Sequence, residues 1–211
     1  MSTAAHSPVT GPNTRPHRTQ QQRREHTRNL LLDATIDCLV ELGYARTSIN
    51  EICKRAGVSR GAQQHHFTTK AELMAAAVEH LVTKLRAQVL ESIPKDASQP
   101  ERIEATIDLL WEAYSGKLSA AALELWVAAR TDQELRAAML PVDRALGRST
   151  LELYRSAAPD SAPAGQTEKL FWLTVNLTRG LALDAEIGGD EQRRRQLLDE
   201  WKRIVSDVYG G

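Results

Sequence analysis

Between Thr47 and Lys70 the chain carries start and stop signals for two helices, and neither has room for more than about two or three turns. Helices that short are marginal in water on their own, so each must pack on a neighbour or not form. Thr47 or Ser48 can cap the first, with Ser48 and Glu51 at capping-box spacing, and Ile49, Ile52 and Cys53 supply its buried stripe. Gly57 stops it. After a turn of a few residues through Ala56, Gly57 and Val58, Ser59 can cap a second short helix reaching about His66. Two short helices joined by a tight glycine-containing turn define a helix-turn-helix, whose second helix enters the DNA major groove while the first braces it.

The flanks fit this unit. From about Arg23 to Leu42, Leu31, Ala34, Cys38 and Leu42 recur at three- and four-residue spacing and share one helical face, with Gly43 as the expected left-handed cap. A fourth helix begins at Thr69, where Thr69 and Glu72 make a second capping box. Leu73, Ala77, Leu81, Leu85 and Val89 give it an i, i+4 stripe, so residues 69–91 are expected to link two domains. Pro94 to Pro100 reads as a loop. Beyond it helices are expected near 101–115, 118–130, 132–157, 166–186 and 190–209, with Pro141 kinking or splitting the third of these. No alternating apolar run suggests a sheet, so the expected class is all-α. The expected organisation is a flexible tail over 1–20, a helix-turn-helix DNA-binding domain over 21–68, and a helical effector-binding and dimerisation domain over 69–211.

Charge separates the same parts. The formal net charge is zero, yet Arg15 to Lys70 holds ten Lys or Arg against five Asp or Glu, and the remainder is acidic by the same margin. A basic segment beside an acidic one points to a polyanion-binding part and a part with another task. Composition, at 42% hydrophobic and 26% charged, is that of a globular protein. Apolar stretches fall short of a membrane span and the first twenty residues lack a secretory signal, so a cytoplasmic protein without a membrane partner is expected. Cys38 and Cys53 have no ligand spacing and read as reduced core residues.

The second short helix carries Arg60, Gln63, Gln64, His65 and His66 within two turns. Arg pairs bidentately with guanine and Gln with adenine, Gly61 lets the backbone approach the groove floor, and Lys70 can hold a phosphate. The capped start at Thr47 and Ser48 offers N–H groups and hydroxyls to another phosphate.

The run Gly43-Tyr44, Thr47-Ser48-Ile49, Glu51-Ile52, Ala56 to Gly61, His65-His66-Phe67, Lys70 and Leu73 resembles the N-terminal signature of the TetR family of repressors, over roughly residues 25–75. That resemblance implies DNA contacts at Thr47, Ser48, Arg60, Gly61, Gln64, His65, His66 and Lys70. The chain departs from the family at two positions. Gln64 stands where a phosphate-touching tyrosine is usual, and Gln63 where an apolar residue is usual.

In the second domain Trp111, Tyr114, Trp126, Met139, Trp172, Asn176 and Arg179 lie on separate helices and could wall a largely apolar effector pocket, or simply pack the core. Arg179, alone in an apolar helix, needs an internal carboxylate, a cross-subunit one, a backbone carbonyl or an anionic ligand. The helix over 166–186 is apolar on several faces. Leu173, Leu177 and Leu181, together with Leu197, Trp201, Ile204 and Val208, are the expected contacts of a homodimeric four-helix interface, with Arg193, Arg194 and Arg195 on a solvated rim. No nucleophile elbow, P-loop, HExxH or dinucleotide fingerprint occurs, and no cofactor is implied. The expected activity is a DNA-binding repressor released from a palindromic operator by a small molecule. The alternatives are an architectural DNA-binding protein without an effector, or a helical enzyme.

Overall fold

The computed structural model describes residues 19–92, 98–159 and 162–210. The helices are α1 (Gln20–Arg46), α2 (Ile49–Ala56), α3 (Arg60–His66), α4 (Lys70–Ser92), α5 (Gln99–Ser115), α6 (Lys117–Ala128), α7 (Gln133–Ala157), α8 (Ala164–Glu186) and α9 (Glu191–Gly210). No strand occurs among the described residues, and the protein is all-α. The expected tail and most of the 94–100 loop lie outside the described residues, except that α1 starts within the former and α5 claims the end of the latter. Ser98 and Glu101 form a capping box, and Pro100 sits in the first turn of α5, where its missing N–H costs no helical bond.

Local signals set most boundaries. Ser48 Oγ accepts from Glu51 N, Ser59 Oγ from Ala62 N, and Gly57 closes α2 in the left-handed conformation at φ 64°. Gly43 differs from expectation. It leaves the helical region at φ 71° and ψ 168°, but the chain resumes for one more turn, and α1 is capped at Thr47. Pro141 does not split α7. The carbonyl that loses its partner, on Ala137 four residues earlier, lies on an exposed stretch where water can take it.

Two apolar clusters hold the helices together. The first joins Leu31, Leu39, Ile52, Phe67 and Leu73 to Leu125 of α6 and Leu135 and Met139 of α7. The second joins Ile107 and Tyr114 of α5 to Tyr154 of α7, Phe171 and Val175 of α8 and Val205 of α9. Each buried leucine-sized side chain contributes about 1.5–3 kcal/mol. The helix-turn-helix therefore shares its core with α4, α6 and α7, and packing runs across the boundary expected at residue 68. Cys38 and Cys53 are buried free thiols, and burial pushes both thiols up.

Candidate nucleic-acid interface and effector region

Ser59 begins α3 so that Arg60, Gly61, Gln64 and His65 face outward. Arg60 Nη1 donates to Asn50 Oδ1 at 2.7 Å, which braces the guanidinium from α2. Asn50 is a positioning residue that the sequence reading missed, although it lies ten residues before Arg60 in the adjoining helix. At Gly61 an added Cβ would meet nothing within 4 Å. Nothing inside the fold therefore requires glycine there, and the open space is on the outer face.

Gln63 is corrected. It is 5% exposed, and its Nε2 donates to the carbonyl of Phe67 at 3.0 Å. Its amide is spent within the fold, in the slot where the resemblance had placed an apolar residue, so it does not read bases. Thr47 is corrected too. It is 1% exposed, and its hydroxyl donates to the Gly43 carbonyl at 2.8 Å, which ends α1 instead of presenting a free hydroxyl. Ser48 keeps its capping role. Lys70 is half-buried, with Nζ 3.2 Å from the Tyr44 carbonyl and 4.0 Å from the centre of its ring. Burial draws its pKa down against the opposing pull of Asp132.

A cleft of about 450 Å³ separates the start of α1 from α3 and is lined by Gln20, Arg23, Arg24, Thr27, His65 and His66. His66 is half-buried beside Phe67, and Arg28 stands over the Phe67 ring at 5.5 Å. Burial, then the charges of Arg24, Arg28 and His65, hold the His66 imidazole below its ordinary pKa. This cleft carries the basic character that the charge count placed in the first third.

The reading head is tied to the rest of the protein at Tyr44. Its N–H donates to Glu124 Oε2 of α6 at 2.9 Å and its hydroxyl to Asp132 Oδ2 at 2.7 Å. Asp132 also caps α7 through Leu135 N. That backbone bond, then the Tyr44 hydroxyl, holds its carboxyl below the usual range. Burial and the same carboxylate push the Tyr44 phenol up to about 12.

Of the seven residues expected to wall a pocket, Tyr114, Trp126 and Arg179 come together. The guanidinium carbon lies 4.2 Å from the Trp126 ring centre and 5.3 Å from that of Tyr114. Arg179 Nη2 is 3.4 Å from the Tyr114 hydroxyl and 3.6 Å from Asp143 Oδ1 of α7. Asp184 is not its counter-ion, since it pairs with Arg193 and Arg194 at 3.3 and 3.1 Å. Both arginines tie α9 to α8, but only Arg193 lies on the solvated rim expected of them; Arg194 is corrected, its side chain being 12% exposed. The other four pocket expectations are corrected or left apart. Met139 is buried in the first core, against which Trp126 packs as well as against the second. Trp172 is exposed and lies across Gly147, where an added Cβ would sit 2.9 Å from Cη2. Asn176 is exposed, its amide donating to the Trp172 carbonyl at 2.7 Å. Trp111 is half-buried.

The expected interface leucines divide. Leu173 of α8 is 55% exposed, and Leu197, Ile204 and Val208 of α9 are also exposed. Leu181 is corrected: it is 7% exposed and packs inside its own subunit. Trp201 is largely internal, with Nε1 donating to Thr174 Oγ1 at 2.9 Å, and Leu177 is half-buried. Trp172, Leu183 and Ile187 extend the exposed apolar band beyond the residues expected.

A capped, two-helix reading head with an outward polar face, set on a larger helical body, defines a helix-turn-helix transcriptional regulator. The family model described as bacterial regulatory proteins, tetR family, matches residues 31–77. An uncharacterised HTH-type transcriptional regulator of Mycobacterium tuberculosis is 34% identical over 170 residues, covering 79% of this chain and 86% of that one. The chain belongs to the TetR family of transcriptional regulators, which are DNA-binding proteins and not enzymes. A crystal structure of a transcriptional regulator from Rhodococcus sp. Rha1 superposes with a TM-score of 0.70 at 26% identity, covering 86% of this chain and 96% of that one. A regulator from Saccharomonospora viridis, solved in complex with choline, shares the fold with a TM-score of 0.65 at 16% identity over 84% of this chain and 95% of that one. Among the described residues no helix is long and apolar enough to cross a membrane, and no cluster of His, Cys, Asp or Glu could hold a metal ion.

Proposed function

We propose that the protein is a homodimeric cytoplasmic repressor that binds a palindromic operator and is released from it by a small-molecule effector. The observation that carries this reading is the attachment of Tyr44 to Glu124 and Asp132. It joins the reading head to α6 and to the start of α7, the helices that also bear Trp126 and Asp143. A ligand that shifts these helices moves the head with them, and α4, packed on both α1 and α7, transmits the same displacement. In a dimer the two heads must match half-sites about 34–36 Å apart, so a small rotation of each is enough to lose the fit.

The exposed apolar band over α8 and α9, with Leu173, Ile187, Leu197, Ile204 and Val208, supports pairing of two copies through these helices. Arg60, Gln64 and His65 are the residues assigned to base edges, and Ser48, His66, Arg23 and Arg24 to the phosphate backbone. The choline bound by the Saccharomonospora viridis protein, which shares the fold, supports the reading that this protein also takes a small molecule.

Selection of bound fragments from the genome of origin would yield the operator. Fluorescence anisotropy on that operator should then show one dimer bound per palindrome and release on adding metabolites of the adjoining genes' chemistry. Binding as a monomer, or an operator affinity that stays constant while a ligand saturates the body, would overturn the corresponding part of this reading.

A further inference from the structure

We infer that Arg179 anchors a small-molecule carboxylate, so that the effector is an organic acid with an apolar body and not a cation. This rests on the effector-responsive reading above and specifies its ligand class. A guanidinium has five N–H donors and cannot shed its charge inside a protein. The edge formed by Nε and Nη2 is the one that accepts a carboxylate side-on, with two parallel hydrogen bonds. In this structure that edge is underused. Nε is buried without a hydrogen-bond partner, and Nη2 has only the Tyr114 hydroxyl at 3.4 Å and Asp143 at 3.6 Å, the latter beyond hydrogen-bond reach.

The surroundings select the rest of the ligand. The faces of Trp126 and Tyr114 are already taken by the Arg179 cation, so an ammonium ligand would meet like charge where it would otherwise find aromatic surface. A neutral carbonyl offers that edge one oxygen and no charge, whereas a carboxylate offers two oxygens and the opposite charge. Tyr114 belongs to the apolar cluster of Ile107, Leu110, Phe171 and Val175, and Trp126 packs against the same cluster, which suits an apolar body behind the carboxylate. Asp143 is 41% exposed and free to turn toward water when another carboxylate arrives. Trp126 stands two residues from Glu124, which holds the Tyr44 N–H. Occupation of Arg179 therefore acts on α6, to which Tyr44 ties the reading head.

Calorimetric titration of the full chain, without DNA, with benzoate, benzamide and benzylammonium tests the assignment. Benzoate should bind at least tenfold more tightly than either of the others. Arg179→Gln should abolish that preference. Should this variant unfold, Arg179→Lys, which keeps the charge and loses the fork, should reduce the preference at least tenfold. Asp143→Asn, which removes the competing carboxylate, should tighten benzoate severalfold, a gain that structural damage does not produce. Equal or tighter binding of the amide or the ammonium, no benzoate binding at millimolar concentration, a preference that survives in a folded Arg179 variant, or weakening by Asp143→Asn would each overturn it. Operator binding is measured separately on the same preparations. Failure of DNA release with benzoate bound counts against the regulatory reading alone, and release by a neutral or cationic compound counts against the carboxylate alone.

Discussion

The Tyr44 hydroxyl donates to Asp132 Oδ2 at 2.7 Å across 88 residues of sequence, and it does so one residue after the chain bends at Gly43. The bend turns the last stretch of α1 so that the Tyr44 N–H reaches Glu124 and its ring lies under the Lys70 ammonium. One residue thus touches α4, α6 and the cap of α7. Tyr44→Phe should lower stability by about 1 kcal/mol, the usual loss for one hydrogen bond. It should leave operator affinity within twofold and blunt ligand-induced release. Chemical denaturation and anisotropy with ligand would check the two parts, and an unchanged ligand response would detach Tyr44 from the coupling.

Gly61 faces open space on an exposed helix, so replacing it affects fold and function in opposite directions. Gly61→Ala should stabilise the free protein by about 0.5–1 kcal/mol through helix propensity. Operator affinity should fall at least tenfold, because the added methyl stands where the groove must approach. A stabilised variant with full affinity would show that the groove does not come near this position.

The neighbouring glutamines should behave differently. Gln63→Ala removes the amide bonded to the Phe67 carbonyl and leaves a gap in the core, so it should lower the melting temperature. Gln64→Ala should leave melting unchanged and alter which base is preferred at one position of the half-site. A uniform loss across all operator sequences would reassign Gln64 to a phosphate.

If His66 meets the phosphate backbone as proposed, operator binding should depend on pH. The folded pKa of His66 lies below the ordinary 6.5, so the unfolded chain takes up the proton first. Its contribution to stability is present above pH 6.5 and is lost as pH falls through the folded value. A phosphate placed in the cleft with Arg23 and Arg24 reverses the balance by favouring the charged imidazole. Operator affinity should therefore rise as pH drops from 7.5 to 6, with proton uptake on binding, and His66→Gln should flatten the rise. Equal slopes for the two proteins in buffered calorimetry would exclude His66 as the proton acceptor.

Leu173 is the most exposed of the proposed interface leucines. Leu173→Glu should convert the dimer to monomer in sedimentation without unfolding it, since the side chain is not part of its own subunit's core. Leu181→Glu should instead unfold the chain, because Leu181 is buried at home. A Leu173→Glu protein that stays dimeric would move the interface elsewhere.

The amino-acid sequence by itself determined the helices of the reading head. Ser48, Ser59 and Gly57 act on backbone groups within a few residues, so their effect does not depend on where other helices lie. The apolar spacing of the body was legible for the same reason, and the sequence named Arg60, Gly61, Gln64 and His65 without separating them from the buried Gln63. What only the tertiary structure decided was rotation and partnership. A helix can present Gln63 to solvent or core at the same spacing, and the slot against Phe67 settled it. Leu173 and Leu181 look alike in an all-round apolar helix, and only the packing of α5, α7 and α9 on α8 buried one and left the other exposed. Asp143 as the counter-charge of Arg179, and Asp132 as the anchor of Tyr44, depend on how helices far apart in sequence cross. Local spacing encodes a helix and its ends, whereas the choice of partner is made by the combined packing of all the helices at once.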